Sequence, residues 1–417
     1  MSRMGRMSRM GRVRGLLGRA AVPVLAIVTA FLLGAVVIIL TDFEHLSQLG
    51  TDPGAAISGA IGGVVKAYGA MLTGALGDPG RILTALQSGS EKDIALAIRP
   101  ITETLVSAMP LIFVGLAISV SFRAGMFNIG GDGQLIIGAL AATFTVLSLQ
   151  GQASSVVILF AGILAATLAG GFWGFIPGFL KARTGAHEVI TTIMLNIIAS
   201  LVVFFALRSD FLKNPGSTVP ISRRLSGITD VPNIINLPNI RLDYGFVVAL
   251  LMAVAVSFLL FRTTKGFELR ASGFSLSAAR YAGMSAGGSM MLAMAISGAL
   301  AGMAGGFLVI GTVGQLSLDL SGGVGFNAIA LALLAGLRPS GVVLAALLFG
   351  GLTTGGKLMG VQSGIPFDLL VFIMALVIMF VAAPGLIRSI WRIKLTKPPI
   401  ATTPVGSATP PATSGEL

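Results

Sequence analysis

Apolar residues in this chain come in long unbroken runs, clearest at 21–40, around 247–261 and at 369–383. A segment in hydrocarbon has to satisfy its own backbone N–H and C=O groups. Continuous apolar runs do so as helices, whereas a barrel needs stretches of alternating polarity. The pattern predicts helices near 100–122, 133–150, 154–180, 188–207, 244–261, 287–311, 326–337, 341–358 and 366–385, which with the first run make about ten. The expected fold class is an all-α integral membrane protein, a polytopic bundle. Between the first two predicted helices, 41–99 is moderately polar and carries Asp42, Glu44, Asp52, Asp78, Glu91 and Asp93. It reads as an external stretch.

Two places break the apolar pattern. In "FRAGMFNIGGDGQLIIGALAA", residues 122–142, Asn128, Asp132, Gln134 and four glycines crowd into a few turns between apolar runs. A carboxylate at membrane depth needs compensation, and the glycines suggest a helix break with a new half-helix starting at Gly133 and Asp132 as its N-cap. Broken helices at this depth line cavities in transporters. Asp132 fits equally as a cap alone or as a solute contact, while Asn128 and Gln134 exceed what capping requires. "SGGVGFNAIALALLAG", residues 321–336, repeats the device, with Phe326 and Asn327 echoing Phe127 and Asn128. Two such interruptions imply two pseudo-repeated halves with a site between them.

Glycines at fourfold spacing, Gly170, Gly174 and Gly178, then Gly298, Gly302 and Gly306, let helix backbones approach closely. Packing within one bundle is the simpler reading, a dimer seam the other. Residues 261–288 form a basic stretch holding a short amphipathic helix, Ser277 to Tyr281, closed by Gly283. It suits docking to a soluble partner, or an ordinary turn at the lipid surface.

Composition narrows the chemistry. Of 417 residues, 54% are hydrophobic and 11% charged, far from a soluble domain. There is no cysteine, which excludes disulfides and thiol chemistry. "HEVIT" at His187 lacks the second histidine of a zinc-protease helix, and no metal or catalytic residue is expected. "GLTTGGKLMG", 351–360, satisfies a phosphate-loop spacing, but Leu358 stands where a magnesium-holding hydroxyl belongs. The chain is not expected to hydrolyse ATP.

Net charge is +12, with six arginines in residues 1–20, a basic N-terminal segment, and more basic residues after the last run. These read as cytoplasmic flanks of a cell-membrane protein with both termini inside and a retained first helix, not as a nucleic-acid surface. Lys181, Arg183, Arg262, Lys265, Arg270, Arg280 and Arg338 all fall at expected inside turns. The loop 208–243, expected outside, carries five basic residues against the rule. Residues 21–395 form the membrane domain, and 396–417, rich in Pro, Thr and Ser, an expected disordered tail.

The stretches "FNIGGDGQLIIGALAA", "KARTGAHEVITTIMLN", "RASGFSLSAARYAGM", "SGALAGMAGGFLVIG" and "GFNAIALALLAGLRPSGVVLAALLFGGL" together resemble the permease subunits of ABC importers for ribose-type sugars and nucleosides, over about 110–384. The resemblance is strongest to the nucleoside systems associated with basic membrane lipoproteins. It implies ten helices, a path between two permease subunits, identical or homologous, and an extracytoplasmic solute-binding lipoprotein. It also implies a cytosolic ABC ATPase that binds the ATP and magnesium. The family's coupling-loop pattern E-A-A-x-x-x-G maps onto Ser277, Ala278, Ala279 and Gly283 within 262–288, with Arg270 and Arg280 beside it. From the two helix breaks, the expected solute path passes Phe127, Asn128, Asp132 and Gln134 in one half and Phe326 and Asn327 in the other. An ion-coupled secondary transporter using Asp132, a ribose-type sugar as solute, and a non-transporting scaffold are the competing readings.

Overall fold

A computed structural model describes residues 24–392. The basic segment 1–20 and the tail 396–417 lie outside the described residues. The helices are α1 Val24–Thr41, α2 Phe43–Ser47, α3 Pro53–Leu76, α4 Pro79–Ser88, α5 Glu91–Arg123, α6 Gly131–Ser148, α7 Ser155–Thr184, α8 Glu188–Ala206, α9 Gly245–Arg262, α10 Thr264–Phe274, α11 Leu276–Tyr281, α12 Ala286–Phe307, α13 Val324–Leu334, α14 Pro339–Ser363, α15 Phe367–Ala382 and α16 Pro384–Ile390. α12 runs on into a π turn, Leu308–Val313. Among the described residues nine helices are long and apolar enough to cross a membrane, and α13 and α15 are shorter apolar helices. The fold is an all-α polytopic bundle.

The stretch 41–99, expected as an external segment, is corrected. It is almost wholly helical, and α3 alone is of spanning length. Its apolar signal is diluted by Gly54, Gly59, Gly62, Gly63, Gly69 and Gly74, and the acids that made the stretch look external sit at helix starts. Asp52 accepts the Ala55 N–H and Asp78 the Gly80 N–H, as N-caps.

Burial sorts the helices into layers. In α5, α6 and α12, 83%, 67% and 78% of the apolar window is buried, against 28% in α7 and 17% in α8, so the first three form the interior. The glycine spans resolve as one intramolecular seam. Gly170, Gly174 and Gly178 of α7 face Gly298, Gly302 and Met294 of α12 so closely that a Cβ at Gly170 would lie 2.6 Å from the Gly302 Cα. Gly138 of α6 meets Gly302 from the other side. On the opposite face of α7, Phe160, Leu164, Leu168 and Phe172 repeat every fourth position and are all exposed. That stripe faces away from the rest of the bundle.

The basic residues expected at inside turns gather at one end of the bundle. Ala182 near the end of α7 lies by Gly287 at the start of α12, Gly125 after α5 meets Gly273 of α10, and Arg123 bonds the turn before α14. The loop 208–243 occupies the other end, where Leu225 N–H bonds the Gly314 carbonyl. Its excess of basic residues has a local explanation. Arg241 makes a bidentate pair with Glu103 of α5 at 3.1 and 2.6 Å, and Arg223 donates to the Asp210 carbonyl at 2.9 Å.

Asp243 closes this loop. One carboxylate oxygen accepts the Gly245 N–H at 2.8 Å, while the other is buried without a partner against Gly311 of the π turn. Burial pushes the carboxyl up to about 6, the Gly245 N–H pulling the other way. The folded chain therefore holds this proton more tightly than the unfolded one. Stability should fall as pH rises from about 4 through about 6 and stay at the lower level above, by on the order of 2 kcal/mol. Detergent melts of Asp243→Asn against the parent should show the parent losing melting temperature over that window relative to the variant. Parallel curves would contradict this.

Candidate functional site

α5 ends at Arg123 because Gly125, at φ +75°, turns the chain, and Met126 N–H closes back on the Ser121 carbonyl at 2.9 Å. The backbone is irregular from there to Gly130. α6 then starts at Gly131 with Gly130 as N-cap, so the expected start at Gly133 with Asp132 as cap is corrected. Two asparagines satisfy this helix end instead. The Asn128 Oδ1 accepts the Gly130 N–H at 2.8 Å, and the Asn196 Oδ1 of α8 accepts the Gly133 N–H at 2.9 Å. Asn196 Nδ2 also donates to the Ile129 carbonyl at 2.9 Å, hooking the irregular strand from both sides.

Asp132 caps the other interrupted helix. Its Oδ1 accepts the Gly325 N–H in the first turn of α13 at 2.9 Å, and Ser321 and the Phe326 N–H lie close by the same carboxylate. The approach requires glycine. A Cβ on Gly325 would overlap the Asp132 backbone and lie 2.6 Å from its carboxyl carbon, and one on Gly131 would lie 3.4 Å from the Gly325 Cα. Gly322 and Gly323, at φ +50° and +75°, bend the chain into α13. The two half-helices thus meet at their N-terminal ends, and one buried carboxylate lies between two positive helix termini. Those N–H donors are the compensation that a carboxylate at membrane depth needs.

Asn128 and Gln134 are placed differently from expectation. Both are buried, and they hydrogen-bond each other twice, at 3.0 and 3.2 Å. Asn128 Nδ2 also donates to Ser297 Oγ at 2.8 Å, and Ser297 donates to the Ala117 carbonyl at 2.7 Å. In this conformation they do not line an open path; they tie the break to α12 and α5. Phe127 and Phe326, by contrast, are each more than half exposed beside the two breaks. The Phe127 ring packs on Phe122 at 4.8 Å, and the half-buried Asn327 side chain has no hydrogen-bond partner among the described residues.

Ser297, Asn196, Ser321 and Gly325 were not singled out from the sequence. Asn196 and Ser297 each stand as a polar residue inside an apolar helix, which is the signal that could have found them.

At the basic end, α11 begins at Leu276, capped by Ser275, whose Oγ accepts the Ala278 N–H at 3.3 Å. Gly283 at φ +77° ends it, with Met284 N–H on the Ala279 carbonyl at 3.0 Å. Ala279 is buried, whereas Ser277, Ala278 and Arg280 are exposed. Phe274 and Tyr281 stand out into solvent at 93% and 98% exposure, the most exposed large hydrophobic side chains among the described residues. Arg270 is turned inward, over the Phe261 ring at 5.3 Å. The stretch 351–360 lies wholly inside α14, so its glycines cannot wrap a phosphate. Among the described residues no group of three or more His, Asp or Glu could hold a metal ion.

Comparison with known proteins follows the same lines. Residues 101–382 match the family described as branched-chain amino acid transport system / permease component. The chain is 42% identical over 294 residues to a guanosine ABC transporter permease protein of Bacillus subtilis, covering 69% of this chain and 82% of that one. It is 33% identical over 377 residues to a nucleoside ABC transporter permease protein of Lactococcus lactis, covering 89% and 92%. A glucose ABC transporter permease protein of Haloferax volcanii is 34% identical over 324 residues, covering 72% and 84%. No solved structure matches the chain.

Proposed function

Because the chain belongs to the permease-component family of branched-chain amino acid transport systems, we propose that it is the membrane-spanning subunit of an ATP-driven importer and that its solute is a nucleoside. The observation that carries the solute class is the pair of exposed rings, Phe127 and Phe326, beside two facing helix breaks, with the free Asn327 amide next to Phe326 in the first turn of α13. Aromatic faces stack on a nucleobase, and an unpaired amide can meet base or ribose groups. A monosaccharide offers hydroxyls but no π face, which is why the glucose-permease relative ranks second as a guide.

The basic end is the cytoplasmic one in this reading, and its docking surface is α10–α11. Phe274 and Tyr281 present an apolar patch to a soluble ATPase, next to a groove lined by Arg262, Lys265, Glu268 and Gly283. A second permease subunit and an extracytoplasmic lipoprotein complete the assembly in a cell membrane, both termini inside. Because Phe274 and Tyr281 make no core contacts, Phe274→Asp with Tyr281→Asp should leave melting in detergent unchanged. The pair should weaken ATPase co-purification at least about tenfold, as loss of interface aromatics does. Proteoliposomes carrying the complete complex and its lipoprotein should accumulate guanosine in an ATP-dependent way and not glucose. Accumulation of glucose alone would replace the solute assignment and leave the transport reading standing.

A further inference from the structure

One side chain joins the two halves of the bundle at the basic end. Arg123 ends α5 and stands directly before the irregular strand. Its Nε donates to the Leu337 carbonyl at 2.7 Å, and its Nη2 lies 3.5 Å from the Gly336 carbonyl, both in the turn between α13 and α14. The same guanidinium lies over the Phe261 ring at the end of α9, 5.0 Å from its centroid, with Arg270 of α10 over that ring at 5.3 Å. The backbone is involved as well. Gly273 of α10 packs so tightly on the Arg123 carbonyl that no Cβ could be accommodated there, and a Cβ on Gly125 would lie 3.0 Å from the Gly273 Cα.

The chemistry of the contact is selective. Among the described residues no carboxylate pairs with Arg123, and its ionic neighbours Arg270 and Arg338 carry its own sign. What holds it is the pair of carbonyls at the negative end of α13 together with an aromatic face. A planar fork can turn its edge to the carbonyls and its face to the ring at once, a geometry that a compact ammonium does not reproduce. Leu337 sits at φ +57°, a left-handed conformation costly for a branched side chain, and Arg123 bonds its carbonyl. A backbone held in this way has an ordinary conformation to relax into when the hold changes.

We propose that Arg123 is the positioning residue that carries movement of α10–α11 to α13, so that both interrupted helices respond to the ATPase together. The proposal rests on the reading of α10–α11 as the ATPase docking site. A shift of α10 moves Gly273 and Arg270 against Phe261 and the Arg123 backbone. Arg123 passes the shift to the Leu337 carbonyl, and α13 carries it to the Asp132 contact.

The test uses the complete complex in proteoliposomes, measuring ATPase co-purification, ATP hydrolysis with and without solute-loaded lipoprotein, and ATP-driven uptake. Arg123→Gln should retain the ATPase and basal hydrolysis, yet lose stimulation by loaded lipoprotein and about tenfold of uptake. Arg123→Lys should fare no better, since charge alone does not supply the fork. Uptake within about twofold of the parent, rescue by lysine, or loss of the ATPase from Arg123→Gln would each overturn the proposal. If the parent chain itself brings down no ATPase, the importer reading has failed instead. Should Arg123→Gln not fold, Phe261→Leu removes the shared ring alone. Uptake should then fall about threefold with hydrolysis kept, and unchanged uptake overturns the idea.

Discussion

Replacing Gly302 with leucine is expected to leave almost no folded protein in the membrane. Gly302 is where three helices meet. A Cβ there would overlap the Ala166 carbonyl and lie 2.8 Å from the Gly170 Cα of α7, while Gly138 of α6 presses from the other side. These neighbours are backbone and cannot rotate away, so the helices must separate along the seam. Overpacking a core normally costs about 1–3 kcal/mol when side chains can adjust, and this position should exceed that range. Membrane proteins have little hydrophobic force to draw the helices together again, since lipid tails are as apolar as leucine. Phe172→Leu on the exposed face of α7 provides the comparison, because its side chain is two-thirds exposed and takes no part in the seam. Detergent-extracted yield and monodispersity should collapse for Gly302→Leu and stay at parent level for Phe172→Leu. Equal behaviour of the two variants would mean that the seam is not the organising contact of the bundle.

Asp132→Ala should reduce ATP-driven uptake at least about tenfold, while Asp132→Asn should retain most of it. Alanine leaves the N-terminal N–H groups of α13 facing a void, and removing an acceptor from a buried donor costs about 1–3 kcal/mol. Asparagine keeps an oxygen at the Oδ1 position, within reach of the Gly325 N–H. The same pair separates the importer from an ion-coupled carrier. A carrier that binds its proton or sodium ion at Asp132 needs the charge, so asparagine would be as inactive as alanine, and an uncoupler would stop uptake while ATP stays high. A scaffold with no transport function predicts that both variants change melting and nothing else.

Much of the architecture was legible from residue order. Unbroken apolar runs required helices, and the two glycine-rich interruptions announced broken ones, because only glycine allows the turns and close approaches seen at Gly125, Gly323 and Gly325. The short amphipathic helix before Gly283 was also readable, since amphipathic spacing and a closing glycine are local signals, although the structure starts it one residue earlier, at Leu276 with Ser275 as cap. α3 was missed for a local reason too: six glycines weaken its apolar signal, and its flanking acids resemble a loop.

Partner choice lay beyond the sequence. Asp132 looked like the cap of its own helix because adjacency in the chain is all that a sequence displays. It caps a helix 193 residues away because the fold brings two N-termini together. The same holds for Asn128, which bonds Ser297, 169 residues away, as well as Gln134, and for Arg123, whose partners are carbonyls of a turn 213 and 214 residues away. The chain itself determined which segments are helical and where they must break, since propensity and self-satisfied backbone bonds act over a few residues. Only the tertiary structure decided which broken end each polar side chain serves. A buried donor or acceptor takes whatever partner packing supplies, and packing depends on contacts between segments far apart in the chain.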